Sequence, residues 1–299
     1  MRIFLTGATG FIGLNVAQEL LRAGHQVVGL ARSQTGAERL AAIGASAFHG
    51  DLDRAESLTE GARGCDGVIH TAFDHDFSNY AANCEKDARI IEALGTALNG
   101  SQRPLIITSI TAFGTMEPGK PAIEDHFDSH YPSPRILSER AGRSLLDRGL
   151  NISFVRLSQI HDTRKQGLVT ELITLARKTG VSAMVGDGAC RWSAAPVKDT
   201  ARLYRLALER QSAGGCYHAV AEDGIPLHAI AAAVGERLAL PVASLHGNAA
   251  ATHFGWLSHF MQSDMYASGE ATRRRLDWHP AGPGLLDDIR GLEEEEAAA

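Results

Sequence analysis

Thr6-Gly7-Ala8-Thr9-Gly10-Phe11-Ile12-Gly13 stands between an apolar run at residues 3–6 and a helix-period stretch at 11–23. In that stretch Ile12, Val16, Leu20 and Leu21 fall on one face before Gly24 stops it. A strand that runs through three spaced glycines into a helix has the parts of a phosphate-binding turn. One glycine permits the tight bend, one lets backbone approach a pyrophosphate, and one lets the helix pack close. The helix start then turns unpaired N–H groups toward negative charge. Gly7, Gly10 and Gly13 can fill these places in order, with Thr9, Phe11 and Ile12 completing the turn.

Outward from the turn, short apolar runs recur at residues 26–31, 46–49, 67–71, 105–108 and 152–157. They lack clean alternation, as strands buried on both faces do. Helix-period stretches at 80–98 and 135–150 separate some of them. Strands alternating with helices predict βαβ units and an α/β fold built on a doubly wound parallel sheet. After residue 157 the rhythm weakens, with helical patterns at 168–179, 199–209, 227–238, about 249–261 and 270–276. The expected organisation is a dinucleotide-binding domain over 1–160 and a smaller C-terminal substrate lobe over 161–292, some segments of which can return to the sheet. An acidic, solvated tail over 293–299 follows.

The 299 residues are 44% hydrophobic and 21% charged, a balance that supports a large core and excludes a mostly disordered chain. A net charge of −6 without a basic run argues against nucleic acid as a partner. The four cysteines, Cys65, Cys84, Cys190 and Cys216, form no CxxC pair, so neither a disulfide scaffold nor a zinc finger is expected. No histidine stands at metal-site spacing, so no metal is expected. The start of the chain lacks the pattern of a signal peptide, and no apolar window is long enough to span a membrane. A soluble cytoplasmic protein with a small-molecule substrate is the expectation.

The spacing GxxGxxG, with Thr6 and Phe11-Ile12, resembles the extended and atypical short-chain dehydrogenase/reductase families, the NAD-dependent epimerase/dehydratase type. Gly50-Asp51-Leu52 and His70-Thr71-Ala72 continue the likeness. The resemblance implies a Rossmann fold, contacts from Asp51 and Leu52 to adenine, and Thr71 and Ala72 along the cofactor path. It also implies a possible homodimer through the helices at 80–98 and 135–150. Where an NAD site usually places an acidic residue after the second strand, this chain has Arg32-Ser33. A guanidinium and a hydroxyl suit a 2′-phosphate, so the expected cofactor is NADP.

The same likeness supplies candidate catalytic residues. Ser109 takes the place of the serine that orients the substrate carbonyl, with Thr111 as a substitute. Tyr131-Pro132-Ser133-Pro134-Arg135 takes the place of YxxxK, so Tyr131 would be the general acid/base. Arg135, in place of lysine, would lower the Tyr131 pKa and hold the cofactor ribose, although an i,i+4 pair with Glu139 competes for it. A helix beginning at Pro134 with Ser133 as its cap fits the sequence. Asp87, inside the apolar stripe of its helix, approximates the family's asparagine. His161 is a pocket candidate, and Lys165 could stand in for the missing lysine. His126 and His130 flank the Tyr131 loop, and Trp192, Phe254 and Trp256 could wall the pocket.

The reading is an NADP-dependent oxidoreductase moving hydride between the nicotinamide and a small carbonyl or alcohol. A nucleotide-sugar-type epimerase or dehydratase, and a non-catalytic NADP sensor, are the alternatives.

Overall fold

A computed structural model describes residues 1–293, so all but Glu293 of the expected tail lies outside the described residues. The chain begins β1 (Arg2–Thr6), α1 (Phe11–Arg22), β2 (Gln26–Ala31), α2 (Gln34–Ala42), β3 (Ser46–His49), α3 (Ala55–Arg63), β4 (Gly67–His70), α4 (Tyr80–Leu98) and β5 (Leu105–Ile110). It continues α5 (Ile136–Asp147), β6 (Ile152–Leu157), β7 (Gln159–His161), α6 (Val169–Thr179), β8 (Ser182–Val185), β9 (Arg191–Pro196), α7 (Val197–Arg210) and β10 (Cys216–Ala219). It closes with β11 (Glu222–Pro226), α8 (Leu227–Leu238), β12 (Val242–Leu245), α9 (Gly247–Phe254), α10 (Ser258–Met261), α11 (Glu270–Leu276) and α12 (Leu285–Arg290).

Seven strands form one sheet in the order β10-β6-β5-β4-β1-β2-β3, every pairing parallel. The strand order reverses between β1 and β4, and in doubly wound sheets the ligand crevice opens at that reversal. Alternate side chains feed two cores. Ile3, Leu5, Ile69 and Ile106 pack with α1, α2 and α7, whereas Phe4, Val68, Leu105 and Ile107 pack with α3, α4 and α5. Ile3, Phe4 and Leu5 are each fully buried, which is why β1 reads as a continuous apolar run.

The C-terminal lobe has its own core, built from α6, α8, α9 and α12 around Trp192, Ile230, Phe254 and Leu285. Two small sheets, β11-β9-β7 and β12-β8, complete it. β10 and α7 return to the large sheet. The helical pattern expected over 249–261 is broken, because Gly255, at φ +52°, ends α9 before α10 begins. Trp192 and Phe254 are buried in this core and Trp256 is exposed.

Candidate active site

The glycine turn is built as its sequence requires. Gly7 sits at φ +68°, a region that side chains strain to occupy. A Cβ on Gly13 would come 2.1 Å from the Gly7 carbonyl oxygen. α1 therefore starts flush against the end of β1, capped by Gly10 without a side-chain partner and with no acidic residue in its first turn. The early N–H groups of such a helix have no intrahelical acceptor and attract anions. This cradle, which a single methyl group would fill, fits the pyrophosphate of a dinucleotide.

Above the turn lies a cavity of about 500 Å³. Gly7, Thr9, Gly10, Phe11, Ile12 and Gly13 line its floor, Arg32 one end, and Asp51, Leu52, Thr71 and Ala72 its sides. Arg32 is exposed. Ser33, next to it, does not line the cavity. Its Oγ caps α2 by accepting the Gly36 N–H at 3.1 Å, which leaves the hydroxyl hydrogen to donate elsewhere. Lys86 joins the walls, 3.0 Å from Asp53 and 2.9 Å from Asp74. Phe73, His75, Ser158, Ile160, Lys165 and Gly167 complete the lining.

Beneath the wall runs a buried polar chain. Thr6 Oγ1 lies 2.7 Å from His70 Nδ1, and His70 Nε2 lies 2.9 Å from Asp87 Oδ1. Asp87 Oδ2 accepts from Arg135 Nη1 at 2.6 Å and from Ser138 Oγ at 2.5 Å. Burial alone would raise the Asp87 pKa. Arg135, then His70 and Ser138, outweigh it and hold the carboxyl well below the usual range. His70 thus turns Nε2 to an ionised carboxylate and Nδ1 to the Thr6 hydroxyl. Thr6 Oγ1 in turn accepts the Ala72 N–H at 3.3 Å, and Thr71 Oγ1 donates to the Thr6 carbonyl at 2.7 Å. The chain thus fixes the segment after β4 against the glycine turn.

The expected catalytic residues are dispersed. On β5 the period-2 alternation sends Thr108 toward α7, where it meets the Tyr204 hydroxyl, and Ser109 toward α5. Ser109 donates to Glu139 Oε2 at 2.7 Å, away from the cavity. Glu139 also takes Arg156 at 2.6 Å and Arg143 at 2.8 Å, so these two, and not Arg135, pair with it. Thr111 Oγ1 faces the Leu157 carbonyl at 3.5 Å.

Tyr131 lies edge-on to Phe113 with ring centroids 5.5 Å apart, and it does not line the cavity. Burial, then Asp128, pushes its phenol pKa up rather than down. α5 begins at Ile136, with Arg135 itself as cap residue, and Ser133 Oγ accepts the Arg135 N–H at 3.3 Å. Arg135 is buried with Asp87, Ser138 and the Thr108 carbonyl, and its guanidinium stacks 4.1 Å over the Phe73 ring. Phe73 is the residue through which Arg135 meets the cavity.

His161 is fully buried, 2.6 Å from Asp288, and also lies off the cavity. Lys165 does line it. Lys86 was not singled out in the sequence; its signal is its place beside Asp87 in the helix-period stretch at 80–98. Among the described residues, no three His, Cys, Asp or Glu gather as a metal set, and no helix is long and apolar enough to cross a membrane.

Sheet, turn and cavity define a dinucleotide-binding α/β protein. Residues 3–221 match the NAD dependent epimerase/dehydratase family, and the chain belongs to it. Members of this family and its relatives include reductases, dehydrogenases, epimerases and dehydratases. The chain is 44% identical over 290 residues to Uncharacterized protein C2A9.02 of Schizosaccharomyces pombe, covering 97% of this chain and 98% of that one. It is 41% identical over 294 residues to Uncharacterized protein YLL056C of Saccharomyces cerevisiae, with the same coverage. A shorter match, 40% over 72 residues, covers 24% of this chain and 22% of a 4-hydroxy-2-methyl-3-oxo-4-farnesyl-3,4-dihydroquinoline-1-oxide ketoreductase from Stigmatella aurantiaca. In fold the chain is similar to DesIV, a dTDP-glucose 4,6-dehydratase from Streptomyces venezuelae solved with NAD bound. The TM-score is 0.77 at 19% identity, covering 97% of this chain and 96% of that one.

Proposed function

We propose that this protein is an NADP-dependent oxidoreductase acting on the carbonyl or alcohol carbon of a small substrate. The observation that carries the reading is the cavity itself, whose lining includes Arg32, the glycine turn, and Ser158, Ile160, Lys165 and Gly167 from the segments after β6. When bound, the nicotinamide cofactor supplies or accepts the hydride. The chain's own residues hold and orient it. Gly7–Gly13 backbone N–H groups take the pyrophosphate, Asp51 and Leu52 border the adenine end, and Arg32 meets the 2′-phosphate as a planar, permanently charged donor. Thr71 and Ala72, fixed by the buried Thr6–His70–Asp87 chain, set the depth of the crevice.

The local match to a ketoreductase favours net reduction of a carbonyl over return of the hydride to the same substrate. One observation favours a second reading, an NADP sensor: Ser109 and Arg135 are both committed to buried carboxylates. Purified protein offered NADPH with a panel of aldehydes and ketones tests the two. The oxidoreductase oxidises NADPH only when a carbonyl is present. A protein that binds NADPH tightly and turns over none of the panel is the sensor.

A further inference from the structure

We propose that Lys86 is a positioning residue that straps the cavity closed and so sets how long a dinucleotide stays in it. The inference rests on the reading of the cavity as a dinucleotide site. β4, β1, β2 and β3 are adjacent parallel strands, so their carboxyl ends share one edge of the sheet. The glycine turn leaves β1, between the segments that follow β3 and β4. Asp53 stands four residues after His49, the last of β3, and Asp74 four residues after His70, the last of β4. Both carboxylates line the cavity, and both reach the one ammonium of Lys86, at 3.0 Å and 2.9 Å. Lys86 therefore ties the segment after β3 to the segment after β4, across the ends of β1 and β2. A dinucleotide whose pyrophosphate rests on the glycine turn lies between the parts so joined.

The two ends of the strap are unequal. The neighbour of Lys86 on α4, Asp87, is buried and tied to His70 and Arg135, so this turn of the helix is a fixed post. The segment after β4 is fixed as well, because Thr71 and Ala72 both bond to Thr6. The segment after β3 is held more lightly. Leu52 packs against the core, but the turn beyond it is local: Asp51 Oδ1 accepts the Asp53 N–H at 3.1 Å, and the Asp51 carbonyl accepts the Arg54 N–H at 3.1 Å. The Asp53 side chain is 70% exposed, against 38% for Asp74 and 20% for Lys86. An ion pair so open to water holds its partners weakly, and it opens and re-forms readily. The Asp53–Lys86 pair is thus the latch, and the Asp74–Lys86 pair the anchor. The latch is closed in this structure, so a dinucleotide passes in or out when it opens. Its removal should speed both passages.

The test is stopped-flow fluorescence of NADPH binding to the full-length protein. Lys86→Met combined with Asp53→Asn removes one charge of each sign, so the net attraction of the anionic cofactor is kept. This double variant should raise the association and dissociation rates together by about three- to tenfold, the range that loss of an exposed ion pair allows, and should move Kd by less than about threefold. Lys86→Arg keeps a cation for both carboxylates and should exchange NADPH as the wild type does. Hydrogen exchange gives a second readout. The amides of residues 52–54 should exchange faster in the double variant, and those of Thr71 and Ala72, held from below, should not change. A residue that simply touched the cofactor would behave differently, with faster dissociation and unchanged association. That pattern overturns the proposal, and so do unchanged rates or amides at 52–54 that exchange as in the wild type. A wild type that binds no NADPH brings down the dinucleotide reading instead, and it shows this before any substitution is made.

Discussion

Arg135 places Nη1 2.6 Å from Asp87 Oδ2, and the two residues, 48 apart in sequence, bury their charges together under the cavity wall. The contact turns a residue from the family's catalytic motif into a brace. Its guanidinium also reaches Ser138 and the Thr108 carbonyl, a set of partners that a lysine, with a single ammonium instead of a planar fork of donors, does not reproduce.

Asp87→Ala should therefore destabilise the protein by about 3–5 kcal/mol, because it leaves a buried guanidinium uncompensated. Lys86→Ala, which breaks two pairs at the cavity rim, should cost no more than about 1 kcal/mol. Urea unfolding followed by circular dichroism gives both values. Equal losses would show that burial does not govern the difference.

NADP should bind more tightly than NAD, and Arg32→Asp should reverse the order. The substituted carboxylate repels a 2′-phosphate and accepts from a free ribose hydroxyl. Calorimetric titration with each cofactor reads this directly, and a preference for NAD in the unsubstituted protein would remove Arg32 from the proposed site.

Gly13→Ala should weaken cofactor binding by more than about tenfold, or about 1.4 kcal/mol. The new methyl group would stand 2.1 Å from the Gly7 oxygen, so turn and helix must separate. Fluorescence titration with NADPH measures the loss, and thermal melting of the apo protein shows how much of it is folding.

Acid should erode stability from about pH 6.5 downward. His218 is buried, donates from Nδ1 to the Ser268 carbonyl at 2.9 Å, and turns Nε2 toward Arg156 Nη1 at 3.4 Å. Burial, then the Arg156 charge, pushes its pKa down to about 3. Between that value and the ordinary one the unfolded chain binds a proton that the folded chain refuses, so stability rises with pH across the interval. His218→Gln, which keeps a side-chain donor for Ser268, should flatten this limb in urea midpoints measured from pH 4 to 8.

The turn and the strands were legible because their signals are local. Three glycines at fixed spacing and fully apolar runs such as Ile3-Phe4-Leu5 specify backbone and burial within a few residues. The partners of Ser109, Arg135 and Glu139 were not legible in this way. Glu139 stands four residues from both Arg135 and Arg143, yet it keeps only Arg143 of the two and takes Arg156 from β6 besides, because helix α5 turns that face toward the sheet. Which of two nearby arginines enters which buried site depends on strand pairing and helix rotation together. Lys86 lacked a motif altogether. Its place becomes visible only when the segments after β3 and β4 are seen to meet at its ammonium.

The far edge of the large sheet is supplied by β10, at residues 216–219, which pairs with β6 at 152–157. During synthesis, then, β6 must wait while most of the second lobe's first helices leave the ribosome. Until Cys216–Ala219 arrives, its outer row of amides and carbonyls has only water. A polypeptide halted near residue 160 would present that bare edge to any strand it met, and the nucleotide-binding half would be a self-adhesive fragment rather than a separable module.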